Sequence, residues 1–255
     1  MTTVIADATT VFVRQWLPSW RSPAGLLFGM LQPLLFLVFF GPLLGGVDGL
    51  AAGGAADSWA WFVPGVLVML ALFGTTATGY GLLTEMQTGS LERLLVTPLN
   101  RTAMLVGRTL NDVATLLAQA LLIVLVVLPF GVRPHPLGLL VALLLLAALG
   151  VGVGALSHAL AIACRAHHET FYAIQSSLLF PLLFLSGLML PLDMGPGWMQ
   201  TVGRWNPLTH VVDALRAVFV GRYDTGLLGV GALSALALAV VGLALGTRAM
   251  RRASG

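Results

Sequence analysis

The stretch LGLLVALLLLAALGVGVGALSHALAIA, residues 137–163, contains no charged residue and decides the class of the fold. A helix that crosses the hydrocarbon core of a bilayer needs about 20 consecutive apolar residues. A charged side chain near the centre of such a helix costs about 2.5–3.5 kcal/mol on insertion scales. The stretch therefore predicts a membrane-spanning helix, which Arg133 and Arg165 bound on its two sides.

The composition extends this prediction to the whole chain. Of 255 residues, 58% are hydrophobic and only 9% are charged, and the mean hydropathy is +0.94. A soluble globular protein carries about 25% charged residues, so this chain lacks the polar surface that water requires. The same values exclude disordered and disulfide-rich classes. We predict an all-α, polytopic membrane protein with a single transmembrane domain over residues 1–255.

Further charge-free stretches raise the predicted number of membrane spans to six. The predicted spans are residues 26–44, 61–83, 113–131, 137–163, 171–192 and 225–247. An even number of spans places both termini on the same side of the membrane. Glycines at 150, 152 and 154 and along the last span permit close helix packing.

The arginines predict which side of the membrane is cytoplasmic. Nine lie in one set of segments: Arg14, Arg21, Arg93, Arg101, Arg108, Arg165, Arg248, Arg251 and Arg252; four lie in the other: Arg133, Arg204, Arg216 and Arg222. Cytoplasmic loops carry the excess of basic residues. Both termini and the loops 84–112 and 164–170 are therefore predicted in the cytoplasm, and the C-terminal Arg248, Arg251 and Arg252 can meet anionic lipid.

Residues 1–25 predict an interfacial helix and not a signal peptide, because they are too polar and show no cleavage site of small residues. Phe12, Trp16 and Trp20 recur every four residues, and arginines lie on another face. This pattern suits a helix that lies in the headgroup layer. The alternative is a frayed tail, since Pro18 interrupts the pattern.

The segment 85–101 is too long and too patterned for a plain hairpin. Ser90 can cap a short helix over 89–96, and three leucines recur within it at i, i+3 and i+4. One interpretation is a surface helix that packs on its own protein. The other is a docking helix whose leucine face, rimmed by Glu92 and Arg93, enters the groove of a soluble partner.

Residues 194–222 predict a helical hairpin on the extracellular side that is too short to span the bilayer. Both of its pieces are amphipathic, and Asn206-Pro207 separates them. Each piece must bury its apolar face against protein or lipid, so the hairpin is interfacial or re-entrant. Asp213 and Arg216 are three residues apart, which predicts a local ion pair.

The predicted spans, the patterned segment after the second span and the predicted hairpin together resemble the permease subunit of ABC-2 type exporters, in particular its daunorubicin/doxorubicin-resistance-like multidrug branch. The resemblance rests on the six spans, the segment Glu85 to Arg101, and the run Asn206-Pro207-Leu208-Thr209…Asp213-Ala-Leu-Arg216. It implies two paired permeases, identical or paralogous, each resting on a separate ABC ATP-binding subunit that carries ATP and Mg. It also implies a bacterial plasma-membrane protein with no cofactor of its own, which exports a drug, an antibiotic or a lipid.

The resemblance also implies roles for three groups of residues. The short helix after the second span would be the coupling helix, formed by Gly89, Ser90, Leu91, Glu92, Arg93, Leu94 and Leu95. The second and fifth spans would line the substrate path with Thr75, Thr76, Thr78, Tyr80, Gln175, Ser176 and Ser177. The hairpin would be an extracellular gate that contains Trp198, Trp205, Asn206, Pro207, Asp213 and Arg216. For any one Ser or Thr, a hydrogen bond to its own helix is the alternative explanation.

Two absences from the sequence bear on enzymatic function. The chain has no lysine, so it cannot contain the phosphate-binding loop G-x-x-x-x-G-K-[ST]. ATP hydrolysis is therefore predicted on a separate polypeptide, and this chain is predicted not to be an enzyme. An intramembrane hydrolase built on Ser157 and His158 is disfavoured, because adjacent helical residues do not face each other and the sequence lacks a Gly-x-Ser-x-Gly motif.

Other classes of function have less support. A proton-coupled secondary transporter needs titratable residues within its spans, and only His158 lies inside one, with Glu85 and Asp112 at span ends. The cluster formed by Cys164, His167, His168 and Glu169 has a single thiol, and we predict no metal site there. Polysaccharide or glycolipid export ranks below drug export, because only 8% of residues are aromatic. Nucleic-acid binding has no support.

Overall fold

The computed structural model describes residues 2–21, 23–44, 55–88, 101–189 and 191–252, and this part of the chain contains helices and turns but no strand. The α-helices are α1 (Thr2–Arg21), α2 (Pro23–Leu44), α3 (Ala55–Gln87), α4 (Arg101–Val127), α5 (Pro136–Ala163), α6 (His168–Phe184), α7 (Gly197–Trp205), α8 (Pro207–Phe219) and α9 (Thr225–Arg252). The all-α class predicted from the sequence is confirmed.

Four helices in the described ranges are long and apolar enough to cross a membrane. Their apolar segments are Ser58–Gln87, Thr102–Phe130, Pro136–Ala163 and Thr225–Arg252. The described part of α2 adds a shorter apolar segment, Gly29–Gly41. Helix α6 has 17 residues, which corresponds to roughly 26 Å at the rise of an α-helix. The first and fifth of the six spans therefore stay predictions.

Helix α3 lies at the centre of the molecule. It packs against α2, α4, α5 and α8, and every residue from Phe62 to Leu72 is buried. A helix that is surrounded on all sides can be apolar around its whole circumference. This explains why the segment shows no amphipathic pattern in the sequence.

Helices α5 and α9 pack backbone to backbone. A Cβ atom built on Gly242 would lie 2.3 Å from the carbonyl oxygen of Gly152, and one built on Gly152 would lie 2.6 Å from the carbonyl carbon of Leu238. No larger residue fits at either position without separating the helices. The prediction that these glycines permit close helix packing is confirmed.

Helix α1 packs on α4 through Ala8 and Val11, which are both buried. A Cβ atom on Gly107 would lie 2.6 Å from the carbonyl oxygen of Ala8. Phe12 and Trp16, which lie on the predicted aromatic face, stack with ring centroids 5.3 Å apart. A helix is therefore present at the N-terminus, and its position in the headgroup layer stays a prediction.

Two helix boundaries lie farther from the predicted span boundaries than the others do. Helix α4 begins at Arg101, whereas the third span was predicted from residue 113, after Asp112. The difference arises because Arg108 and Asp112 of α4 have partners on neighbouring helices and need not lie outside the helix. Helix α6 ends at Phe184, whereas the fifth span was predicted to reach 192. The chain turns there through Gly187, whose φ is 67°, a conformation that favours glycine.

Candidate functional site

An apolar cavity of about 320 Å³ lies between α3, α5, α6, α8 and α9. Most of its wall is leucine, and Thr76, Ser157 and Gln175 are its polar residues. Thr76 and Gln175 were both predicted to line a substrate path, from the second and the fifth span. The structure therefore brings these two parts of the predicted path together on one cavity, hereafter the apolar cavity.

Most polar groups in the wall of the apolar cavity are already hydrogen-bonded. Thr76 Oγ1 donates to the carbonyl oxygen of Leu72 over 2.5 Å. Ser157 Oγ donates to the carbonyl oxygen of Thr76 over 2.6 Å and accepts from the backbone N–H of Gly79 over 3.2 Å. Gln175 Oε1 is buried and has no partner in the described part of the chain. It is therefore a buried, unpaired acceptor beside the cavity, whose accessible wall is almost entirely apolar.

The other predicted path residues lie elsewhere. Thr75 and Thr78 donate to carbonyl oxygens of α3 itself, over 2.5 Å and 2.7 Å, as the alternative explanation expected. Tyr80 is half exposed and lies beside Tyr172 of α6, with ring centroids 5.5 Å apart. The remaining two, Ser176 and Ser177, are exposed on α6.

The predicted hairpin is formed by α7 and α8, and Asn206 fixes the turn between them. Its side-chain oxygen accepts from the N–H of Leu208 over 3.0 Å, and Pro207 occupies the first helical position. Its Nδ2 donates to the carbonyl oxygen of Leu182 near the end of α6, over 3.2 Å. Asn206 therefore both starts α8 and ties it to α6.

The two faces of the hairpin differ in burial. The apolar face predicted for α8 is buried in the core: Leu208, Val211, Val212, Leu215 and Phe219. The face predicted for α7 points outward, and Trp198 and Trp205 are 65% and 84% exposed. Exposed tryptophans of this kind suit the membrane–water interface. Contact of α7 with lipid stays a prediction.

Arg216 ties α8 to α3. Its Nε donates to the carbonyl oxygen of Trp61 over 3.2 Å, and its Nη2 donates to that of Gly187 over 2.9 Å. The guanidinium carbon lies 3.6 Å from the centroid of the Trp61 ring, in a cation–π contact. The ion pair predicted with Asp213 is also present, but at the longer distance of 3.7 Å. The carbonyl bonds therefore hold Arg216 more closely than the ion pair does.

Arg216 and Asp213 line a second cavity of about 420 Å³, hereafter the arginine cavity, together with Arg204, His210 and Arg222. Burial lowers the pKa of Arg216 to about 10, and Asp213 opposes this shift. Arg216 therefore remains charged at neutral pH. Burial likewise raises the pKa of Asp213.

A row of polar residues on α4 was not predicted from the sequence. Arg108, which is 3% exposed, donates to both carboxylate oxygens of Glu85 on α3. One turn further, the Asp112 carboxylate lies 3.0 Å from Nε2 of His158 on α5. The spacing of Arg108, Asp112, Thr115 and Gln119 places them on one helical face, and this periodicity is the signal that could have found the row.

The Glu85–Arg108 pair gives a testable prediction about stability. Glu85→Gln and Arg108→Met are each expected to lower the Tm, because each leaves a partner that is largely buried without its counter-charge. The loss in the free energy of unfolding is expected to be smaller in the double variant than the sum of the two single losses, by about 1 kcal/mol or more. Thermal unfolding of the four proteins in detergent checks this, and strictly additive losses would contradict it.

All seven predicted coupling-helix residues lie outside the described residues: Gly89, Ser90, Leu91, Glu92, Arg93, Leu94 and Leu95. The described chain ends at Thr88 on one side and resumes at Arg101, which begins α4. The predicted coupling helix thus connects α3 to α4, the two helices that the Glu85–Arg108 pair joins.

The alternative sites considered from the sequence are not assembled in the described residues. Ser157 bonds to α3, while His158 bonds to Asp112, so the two do not face each other as a hydrolase would need. No group of three or more His, Cys, Asp and Glu residues able to hold a metal occurs in the described ranges. Cys164 is buried at the end of α5.

Comparisons with known proteins agree with this architecture. The family model described as ABC-2 type transporter matches residues 7–220. A daunorubicin resistance ABC transporter permease, DrrB1 of Streptomyces coeruleorubidus, is 29% identical over 230 residues, covering 88% of this chain and 80% of its own length. A putative transport permease, ycf38 of Cyanophora paradoxa, is 32% identical over 201 residues, covering 78% of this chain and 69% of its own length.

A more distant relative is the probable multidrug ABC transporter permease YbhR of Escherichia coli (strain K12). It is 24% identical over 168 residues, covering 64% of this chain and 44% of its own length. The family match begins within α1 and continues through α8. It therefore includes the parts of the apolar cavity's wall that α3, α5, α6 and α8 supply. The chain belongs to the ABC-2 type transporter family, as a membrane permease homologous to DrrB.

Proposed function

We propose that this chain is the permease of an ATP-driven exporter that moves an amphipathic or hydrophobic compound, such as a drug, an antibiotic or a lipid, out across a bacterial plasma membrane. The apolar cavity carries the proposal. It is a leucine-rich space whose accessible wall is almost entirely apolar, and sites for small amphipathic molecules are mostly apolar with few polar groups. Relatives named for daunorubicin resistance and for multidrug transport support this choice of cargo.

The source of energy is a separate ATP-binding subunit, which carries ATP and Mg. The proposed contact is the coupling helix over 89–96, whose leucine face would enter a groove of that subunit. ATP binding would draw two such subunits together and shift the coupling helices with them. The shift would reach α3 and α4, because the Glu85–Arg108 pair joins these helices just beyond the segment. The contact between the coupling helix and the ATP-binding subunit would thus differ between the two states of the transporter, as energetic coupling requires.

A second permease, identical or paralogous, completes the transporter. Helix α6 supports this, since several of its apolar side chains are exposed in the single chain: Tyr172, Leu178, Phe180, Leu182 and Phe184. Helix α6 makes few contacts within the chain. A second copy facing α6 would extend the apolar cavity across the interface, and lipid would cover the remaining apolar surface.

The experiment that tests the proposed function is purification of the tagged chain from its native cells in nanodiscs, with the copurifying proteins identified and the complex weighed. We expect two permeases and two ATP-binding subunits, with ATPase activity that requires this chain. Amphipathic drugs are expected to stimulate that activity, whereas a hydrophilic oligosaccharide is not. A chain that purifies alone, without any ATPase activity, would overturn the proposal.

The coupling helix has a prediction of its own. Glu92→Ala/Arg93→Ala is expected to reduce export at least tenfold while membrane insertion is unchanged, because the charged rim of the docking face is lost. Export of a fluorescent amphipathic dye from intact cells measures the effect. The control is Arg222→Ala/Asp224→Ala, which removes the same charges from the predicted extracellular side. Undiminished export in the Glu92/Arg93 variant would remove the case for a docking helix.

A polysaccharide or glycolipid is the second candidate cargo. The exposed pair of Tyr80 and Tyr172 favours it, since aromatic rings at the mouth of a path can stack on sugar rings. Stimulation of the ATPase by oligosaccharides and not by amphipathic drugs would favour this candidate over the first.

A further inference from the structure

One segment of α3, GTTATG at residues 74–79, contains three threonines whose hydroxyl groups all bond to the helix backbone. Thr75 and Thr76 each donate to the carbonyl oxygen four residues earlier, both over 2.5 Å, and Thr78 donates to that of Thr75 over 2.7 Å. An α-helix uses the same carbonyl groups as acceptors for its own N–H groups. Bonds of this kind slightly destabilise a helix and often bend it.

A fourth hydroxyl group reaches the same segment from another helix. Ser157 of α5 donates to the carbonyl oxygen of Thr76 over 2.6 Å and accepts from the N–H of Gly79 over 3.2 Å. In a regular α-helix, the Gly79 N–H bonds to the carbonyl oxygen of Thr75, and that of Thr76 accepts from residue 80. Ser157 therefore competes with the backbone bonds of α3 at this turn, and a side chain inserted among such bonds is a recognised cause of helix kinks.

The two glycines that bound the segment have different surroundings. A Cβ atom on Gly79 would lie 2.4 Å from Ser157 Oγ, so glycine is what lets Ser157 reach the backbone. A Cβ atom on Gly74 would meet one atom of the described chain within 4 Å, Gln119 Oε1, at the ordinary contact distance of 3.8 Å. Packing therefore leaves room for alanine at position 74, and glycine there adds freedom of the backbone.

The segment separates two differently packed halves of α3. Every residue from Phe62 to Leu72 is buried, whereas Tyr80, Gly81 and Thr84 beyond the segment are exposed. The second half continues to the predicted coupling helix. Because Thr76 and Ser157 both line the apolar cavity, a change of angle at this segment would reshape the wall of that cavity.

A purely structural explanation covers only part of these observations. Threonines in an apolar helix often bond to carbonyl groups of their own helix, which accounts for the three hydroxyl bonds within α3. It accounts neither for the insertion of Ser157 from α5 nor for glycine at position 74, where alanine would fit and would stabilise a helix better.

We propose that residues 74–79 are a hinge in α3, which bends as the cytoplasmic end of α3 moves and thereby reshapes the apolar cavity. The proposal rests on the proposed export function, because the ATP-binding subunit would supply the movement. Hinges are a few residues that absorb changes in φ and ψ. Backbone groups freed by bending must find partners inside a membrane, and nearby Ser and Thr hydroxyl groups can supply them.

The first test is Gly74→Ala, which stiffens the hinge without a steric clash. Its Tm is expected to stay level or to rise by about 1–4 °C. Dye export from intact cells is expected to fall at least fivefold, and in the purified complex stimulation of the ATPase by amphipathic drugs is expected to be lost while basal ATPase activity stays within twofold of the wild type. A merely structural role for Gly74 would not separate these readouts.

The matched control is Gly229→Ala on α9, where a Cβ atom would meet nothing within 4 Å. It adds the same methyl group to a helix that also crosses the apolar cavity's wall, and it is expected to leave both Tm and export at wild-type values or slightly above. Full export and full drug stimulation in Gly74→Ala would overturn the hinge.

Hydrogen–deuterium exchange of the wild-type complex in nanodiscs keeps the proposal falsifiable if Gly74→Ala fails to fold. Exchange is compared without nucleotide and after trapping with ATP and vanadate. Amides of residues 76–81 are expected to change their exchange rate at least threefold, whereas those of residues 62–72 are expected to stay unchanged. Equal rates in both states of an active ATPase would overturn the hinge alone, whereas a chain without any ATPase partner would overturn the proposed function.

Discussion

Gly242→Leu is expected to leave little folded protein. A side chain at this position would drive its Cβ atom to 2.3 Å from the carbonyl oxygen of Gly152, so α5 and α9 would have to separate along their length. Overpacking of a tight interior contact costs about 1–3 kcal/mol and occasionally more, and a backbone oxygen cannot move aside as a side chain can. We expect the free energy of unfolding to fall by more than about 3 kcal/mol, which would be seen as aggregation in size-exclusion chromatography.

The matched control lies on the same helix. A Cβ atom on Gly229 of α9 would meet nothing within 4 Å, so Gly229→Leu is expected to behave as the wild type. The two variants add the same side chain to the same helix and differ only in what it meets. A monodisperse Gly242→Leu protein with a wild-type Tm would contradict the backbone contact between α5 and α9.

Arg216→Met is expected to lower the Tm by about 6–12 °C. The change removes the donors to the carbonyl oxygens of Trp61 and Gly187 and leaves Asp213 without its cation. Each buried acceptor that loses its partner costs about 1–3 kcal/mol, and 1 kcal/mol corresponds to about 2–4 °C for a chain of this size. Thermal unfolding in nanodiscs measures the effect.

Two comparisons separate the geometry of Arg216 from its charge. Arg216→Lys keeps the charge but has no planar guanidinium to reach carbonyl groups on two segments. Its Tm is therefore expected to lie between that of Arg216→Met and that of the wild type. Arg204→Met removes an exposed arginine from the same hairpin and is expected to change the Tm by less than 2 °C. If Arg216→Lys matched the wild type, charge alone would account for the role of Arg216.

The sequence predicts the two short helices α7 and α8 well, because their patterns are local, while the re-entrant placement of the hairpin stays a prediction. The apolar face of α8 follows from the spacing of its residues, and the Asp213–Arg216 pair follows from their separation of three positions. The stronger bonds of Arg216 could not be predicted in this way. Their acceptor on Trp61 is 155 positions away in the sequence and belongs to the backbone, which carries no residue-specific signal.

The polar row on α4 was missed for a different reason. Charged residues served to locate the ends of the spans, so Asp112 was placed at a boundary and Arg108 in a loop. The structure places both inside α4, where Glu85 and His158 on neighbouring helices pair with them. A charge that is paired within a bundle does not end a helix, and only the fold reveals which charges are paired.

The structure brings only two of the predicted path residues together, and the substrate path itself stays a prediction. Thr76 and Gln175 both line the apolar cavity, because α3 and α6 each supply part of its wall. Thr75, Thr76 and Thr78 all donate to carbonyl oxygens of their own helix, and of the three only Thr76 lines the apolar cavity. Hydroxyl groups on an apolar helix have the same signature in the sequence whether they face a cavity or a carbonyl group, so the pattern could not distinguish the two.

The way in which Arg216 holds α3 to α8 also has a consequence for evolution. Every residue type, proline included, has a backbone carbonyl oxygen, so a change of side chain at position 61 leaves the acceptor of Arg216 Nε in place and removes only the cation–π contact. Gly187 is constrained by its φ of 67° and not by its bond to Arg216. Related permeases should therefore retain the arginine while the residue at position 61 drifts, and covariation between positions 61 and 216 should fail to detect this contact between two distant segments.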